Sequence, residues 1–81
     1  MKRIEVYGPG CAKCAKLFAN VEAVVHEMGL DCTLEKVTDI DRMVDAGVLM
    51  TPGLAIDGVL VSSGRVLGTD ELKGILGGKH Q

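Results

Sequence analysis

Tryptophan is absent from this chain, and Tyr7 and Phe18 are its only aromatic residues. Base-stacking platforms and aromatic sugar-binding surfaces therefore have almost nothing to be built from. An excess of one charge is lacking too: nine basic residues against eleven acidic ones leave a net charge of -2. That balance is no footprint for a phosphate backbone or an anionic membrane, so neither nucleic acid nor lipid is an expected partner. Long apolar runs are missing as well. Lys, Glu, Asp or Gly interrupts every hydrophobic segment short of the ~18–20 residues that cross a bilayer, and the first residues never reach the ~7–15 of a secretory signal. The expectation is a cytoplasmic protein. There is no internal repeat and no low-complexity stretch. What is present is 47% hydrophobic and 25% charged residues with a mean hydropathy of +0.26 in 81 residues, the composition of one compact domain over residues 1–81, with 77–81 expected to fray.

The pattern along the chain alternates strands and helices. Residues 2–7 are β-branched and aromatic and stop at Gly8-Pro9-Gly10, a strand ending in a turn. From Cys11 to Met28, Cys14, Leu17, Phe18, Val21, Val24, Val25 and Met28 recur at three- and four-residue intervals, the stripe of an amphipathic helix that Gly29 closes. A strand over 32–37 follows. Thr38 is the expected cap of a second helix, with Ile40, Met43 and Val44 as its buried stripe and Gly47 at its end. Gly53 to Ile56 and Val59 to Val61 flank Asp57-Gly58, the dipeptide suited to a two-residue hairpin turn. Thr69 is the expected cap of a last helix, with Leu72, Ile75 and Leu76 as its apolar edge. Strands 1 and 2, joined through a helix, should be parallel, and strands 3 and 4 antiparallel. The fold class expected is α/β: βαβαββα, a four-stranded mixed sheet with helices on both faces.

Three cysteines are an odd number, and a close pair in a reducing compartment is more often catalytic or metal-binding than a structural staple. Cys11-Ala12-Lys13-Cys14 stands where strand 1 gives way to helix 1. Cys11 falls at the helix terminus, where unpaired N–H groups and the positive dipole end favour a thiolate, so it is the expected nucleophile. Cys14 lies on the buried stripe and is the expected resolving thiol. Lys13 and Lys16 add positive charge. The same spacing also binds soft metals such as copper or zinc through two thiolates, so redox catalysis and a metal chaperone both stand at this point. A third reading is a binding module without turnover.

The context of the pair resembles the thioredoxin and glutaredoxin superfamily. The residues that carry the resemblance are GCAKC near the start, KVTDI at 36–40, Thr51-Pro52-Gly53 before strand 3, and TPGLAIDG followed by VSSGRVL at 51–67. Together they are most similar to small prokaryotic thioredoxin-like redox-active disulfide proteins. The resemblance implies a disulfide oxidoreductase needing no cofactor beyond its own Cys11–Cys14 couple. Its partners would be protein disulfides and a donor of the thioredoxin-reductase kind, and it would act as a monomer. The superfamily's cis-proline maps onto Pro52, with Thr51 beside it to hold substrate. Heavy-metal chaperones run βαββαβ instead. The chain departs from thioredoxins proper at Gly10, where they carry Trp, and at Ala12-Lys13, where they carry Gly-Pro. It departs from glutaredoxins at Ser62-Ser63, where they carry a glycine pair.

Outside the pair, Cys32 is expected to be buried as a small hydrophobe and His26 to lie on the surface. Met28, Met43 and Met50 are expected to fill the core. Glu5 has two readings. It could take the proton of Cys14 as a buried acid, or it could lie near a solvated edge or pair with a lysine.

Overall fold

The computed structural model describes residues 2–10 and 12–77. Met1, Cys11 and residues 78–81 of the expected frayed tail lie outside the described residues. The elements are β1 (Lys2–Tyr7), α1 (Ala12–Met28), β2 (Cys32–Val37), α2 (Ile40–Ala46), β3 (Gly53–Ile56), β4 (Val59–Ser63) and α3 (Thr69–Leu76). This is the βαβαββα order expected of a thioredoxin-like fold. The four strands form one mixed sheet in the order β2-β1-β3-β4. β1 runs parallel to β2, from Lys2 opposite Cys32 to Tyr7 opposite Val37, and antiparallel to β3. β3 and β4 form the hairpin, with Asp57 at φ 52° and Gly58 at φ 84° in its two-residue turn. Asp57 also fastens that turn to β1, accepting from the Arg3 N–H at 2.8 Å and donating its own N–H to the Arg3 carbonyl at 2.7 Å.

Side chains alternate across a strand, so β1 feeds two cores. Ile4 and Val6 join Leu54 under α1 and α3, against Leu17, Val21, Val24, Leu67, Leu72 and Leu76. Tyr7 joins Val37 and Ala55 on the other face, under Met43 of α2 and Val48. Helices thus cover both faces. A fully buried Leu or Val contributes about 1.5–3 kcal/mol each, and the α1/α3 side holds most of them. α3 is further joined to α1 by Lys73 Nζ to the Glu27 carboxylate at 3.0 Å, and the Asn20 amide donates to the Leu67 carbonyl at 3.0 Å.

Four expectations are corrected. The N-cap of α2 is Asp39, whose carboxylate accepts the Asp41 N–H at 2.9 Å, and Thr38 stays outside. α3 starts after Gly68, with Thr69 as its first helical residue, and the Glu71 carboxylate reaches back to the Gly68 N–H at 3.4 Å. Ile40 and Val44 are 69% and 68% exposed, not buried. At ~100° per residue they share one side of α2, whereas Met43 and Ala46 meet the sheet and Arg42 reaches Glu5; serving those contacts turns Ile40 and Val44 outward. Met28, Met50 and Ile75 are exposed too, leaving Met43 as the methionine among the three that packs inward. Met28 closes the last turn of α1, Ile75 leans off the α3 stripe, and Met50 lies in the loop before β3.

Two exposed carboxylates are held below the ordinary glutamate range. For Glu35 the main cause is the hydrogen bond from Arg42, and for Glu71 it is the hydrogen bond from Arg65, followed by the Gly68 N–H. Because their folded-state affinity for protons is lowered, their contribution is complete above the unfolded value of about 4.3 and is lost as pH falls below it. Denaturant midpoints measured from pH 6 downward should therefore decline on the acid side. The decline should be shallower in R65Q, and shallower again in 0.5 M salt, which screens exposed pairs. An acid limb unchanged in R65Q would contradict this origin.

Candidate active site

β1 ends at Tyr7, and Gly8-Pro9-Gly10 leads toward α1, whose first residue is Ala12. Cys14 stands in the first turn of α1 on the stripe that continues through Leu17 and Val21, and it is buried, with 3% exposure. Its seat is the backbone of Gly8. A Cβ at Gly8 would collide with Cys14 Sγ and lie 3.0 Å from Cys14 Cβ and 3.8 Å from Thr51 Cβ. Gly8 is therefore the point where β1, α1 and the loop before β3 converge, and a side chain there is incompatible with that approach. The Gly8 N–H is used as well, donating to the Val37 carbonyl at 2.9 Å.

Thr51 is half-buried and Pro52 buried, and the peptide bond between them is cis. This segment is held from behind by the end of β4. Ser63 Oγ accepts the Met50 N–H at 3.3 Å and donates to the Met50 carbonyl at 2.9 Å. The Gly64 N–H donates to the Pro52 carbonyl at 2.8 Å. Gly64 has φ 78°, and a Cβ on it would lie 3.0 Å from Met50 Cβ, so a side chain there would be strained and crowded at once. Ser62 Oγ, by contrast, is buried with no hydrogen-bond partner among the described residues.

Lys13 and Lys16 are exposed on the first turns of α1. Cys11 lies outside the described residues. Cys32 is half-buried and packs against the α1/α3 core. It pairs with Lys2 at the start of β1, about 16 Å of strand from the Tyr7 end. His26 is exposed.

Comparison with known proteins fits this geometry. Residues 2–77 match the model of a family described as a thioredoxin domain. The chain belongs to that family. A thioredoxin of Methanothermobacter thermautotrophicus is 43% identical over 76 residues, covering 94% of this chain and 99% of the relative. A thioredoxin of Methanocaldococcus jannaschii is 39% identical over 70 residues, covering 86% of this chain and 80% of the relative. The thioredoxin-domain frame accounts for the βαβαββα order and for the cysteine-bearing helix start facing a Thr-Pro loop. Among the described residues of this thioredoxin-like redox protein, no helix is long and apolar enough to cross a membrane.

Glu5 is buried, with 4% exposure, and its partner is an arginine. Arg42 Nη2 lies 3.1 Å from Glu5 Oε2 while its Nη1 donates to Glu35 at 2.9 Å. Arg3 Nε adds a longer contact to Glu5 at 3.8 Å, and the Tyr7 hydroxyl donates to Glu5 Oε1 at 3.2 Å. Burial, and secondarily the Glu5 carboxylate, pushes the Tyr7 phenol up from its ordinary value. Glu5 shares the α2 face with Tyr7, whereas α1 with Cys14 covers the opposite face. The structure does not bring Glu5 and Cys14 together. It adds Gly8, Ser63 and Gly64, which sequence reasoning passed over. In the sequence Gly8 reads only as a turn residue, and Ser62-Ser63 only as what replaces a glycine pair.

Two tests follow from this packing. G8A should destabilise the protein by about 2 kcal/mol or more, because Cys14 must be pushed off its seat. The two adjacent serines should respond differently. S63A removes both bonds to Met50 and should cost about 1–2 kcal/mol, whereas S62A removes a buried unpaired hydroxyl and should be neutral or stabilising. Urea unfolding of the three variants reads all of this, and equal losses in S62A and S63A would contradict the clamp.

Proposed function

We propose that this thioredoxin-family protein is a thiol–disulfide oxidoreductase that reduces or exchanges protein disulfides in a reducing compartment. Cys11 is the nucleophile and Cys14 the resolving thiol. The observation that carries the reading is the burial of Cys14 against Gly8, with Thr51 and the cis-linked Pro52 at its side, in a chain of this family. A buried thiol in the first turn of a helix suits an attack on a neighbouring sulfur better than attack on a bulky substrate.

The cycle moves two electrons. Cys11 thiolate attacks one sulfur of the substrate disulfide, forming a mixed disulfide and releasing one substrate thiolate, which takes up the proton that Cys14 loses. Cys14 thiolate then attacks Cys11 Sγ. The mixed bond breaks, the second substrate thiolate leaves and is protonated by solvent, and the protein is left as the Cys11–Cys14 disulfide. A dithiol donor of the thioredoxin-reductase kind returns the electrons. Lys13 favours the thiolate form at the helix start. The main chain at Thr51, positioned beside Pro52, offers an N–H and a carbonyl to an extended substrate segment. Glu5 is engaged by Arg42 on the other side of the sheet, so the cycle assigns it no proton.

Redox titration of anaerobically purified protein against dithiol buffers should give one two-electron couple, with loss of two hydrogens on oxidation. A brief iodoacetamide pulse on the reduced form should label Cys11 ahead of Cys14 and Cys32. C14S should trap the mixed disulfide with a protein substrate. Stoichiometric copper or zinc binding by the reduced pair without such a couple would favour a metal-binding protein, and first labelling at Cys14 or Cys32 would reverse the assignment of nucleophile.

A further inference from the structure

The site's surroundings carry an unusual distribution of charge. None of the eleven acidic residues falls in 6–21, 46–56 or 58–69, the three stretches that build the Cys14 end of α1, the loop before β3 and the loop after β4. Asp39 and Asp41, at the start of α2, lie on the β2 side, and Glu71 at the start of α3 is taken up by Arg65. The basic residues of the three stretches are Lys13, Lys16 and Arg65. Arg65 is neutralised by Glu71 at 2.7 Å. Arg3, Arg42 and Lys73 are likewise in ion pairs, and Lys36 covers the Phe18 ring at 4.9 Å. Among the basic residues whose side chains the structure describes, only Lys13 and Lys16 have neither a carboxylate nor a ring beside them.

Those two lysines flank a shallow apolar hollow, lined by Ala12, Lys13, Lys16 and Val66, at the start of α1 that also carries Cys14. From Val66 the chain leads back toward apolar residues of the loop before β3. Val66 is two residues from Gly64, Gly64 packs on Met50, and Met50 and Leu49, which lead into Thr51, are 65% and 93% exposed. The loop carrying Val66 is held to α1 by the Asn20 bond to Leu67. The result is a fixed apolar surface beside the site with two unneutralised cations at one end.

Resting on the oxidoreductase reading, we propose that this surface selects disulfides flanked by acidic and apolar residues: an extended segment of the substrate protein lies along Met50, Gly64 and Val66, with a carboxylate against Lys13 and Lys16. Like charge at the rim disfavours basic segments, and the unpaired lysines raise the encounter rate with acidic ones in a salt-dependent way. Outside the three stretches the acidic residues outnumber the basic ones, so the same arrangement favours an encounter with the site over the rest of the surface.

The test compares three disulfides reduced by the full-length protein: an intramolecular disulfide peptide with Leu and Asp flanking its cysteines, the same peptide with Lys for Asp, and neutral hydroxyethyl disulfide. The acidic peptide should show a kcat/KM about tenfold above the basic one at low ionic strength, with the ratio falling several-fold in 0.5 M salt. In the K13Q/K16Q double variant the ratio should collapse toward one. Any change in Cys11 reactivity caused by losing the lysines acts on both peptides alike, so the ratio is insensitive to it. Equal rates on the two peptides, or a ratio that survives in the double variant, overturns the selectivity while turnover of hydroxyethyl disulfide leaves the oxidoreductase reading standing. Absence of turnover on all three disulfides overturns that reading and the selectivity with it.

Discussion

The central place of β1 sets the terms for the rest of the molecule. It pairs with β2 on one side and β3 on the other, and it is covered by helices above and below, so each of its residues from Ile4 to Tyr7, and Gly8 after it, is buried. Two consecutive side chains cannot share one core when the period is two. Ile4 and Val6 therefore serve the α1/α3 side, and Glu5 and Tyr7 the α2 side. Gly8 continues the first parity, and having no side chain it lets α1 come down onto the strand end. The cysteine-bearing turn is seated there by the absence of an atom.

The same alternation creates the structure's main electrostatic cost, because it commits a glutamate to the buried face. Taking a carboxylate out of water is tolerable only with a partner and hydrogen bonds. Arg42 supplies the partner from a helix that begins three residues after β2, and Tyr7, two residues along the same face, supplies the hydroxyl. The consequence appears on the outside. α2 is rotated to keep Arg42 over Glu5, and Ile40 and Val44 go to solvent. An apolar pair exposed on a seven-residue helix is what remains when an internal charge takes precedence over an amphipathic stripe.

What could be read in the sequence follows from how local each cause is. The α1 stripe is periodic over seventeen residues, the Asp57-Gly58 turn is decided by two residues, and the parallel pairing of β1 and β2 follows from the intervening helix; each is present in the structure. The resemblance carried in part by Thr51-Pro52 likewise implied the cis bond that the structure has there. The misses depend on contacts between distant positions. Glu5 and Arg42 are separated by 37 residues, and nothing near either announces the other. Asp39 and Thr38 are both good caps, and only the path out of β2 chooses between them. The close approach at Gly8 is invisible in a Gly-Pro-Gly turn that needs its glycines for other reasons as well.

The clamp behind Thr51 adds a further constraint, which comes from the sheet edge. β3 and β4 stay in simple register at Ile56–Val59 and Ala55–Leu60, but beyond that point Leu54 pairs with Ser62 and Gly53 with Ser63, so Val61 is an extra residue on β4. Such a bulge advances everything after it by one position and re-aims the side chains. Without it Ser62 would stand opposite Gly53; with it, Ser63 does, its hydroxyl meets both main-chain groups of Met50, and Gly64 arrives in reach of the Pro52 carbonyl. The displaced Ser62 loses its chance of a partner in the same step. One inserted residue at the edge thus ties the loop that faces Cys14 to the sheet, at the cost of one buried hydroxyl. It also ties the tip of β4, which otherwise has a neighbour on one side only, to the part of the molecule where chemistry is proposed.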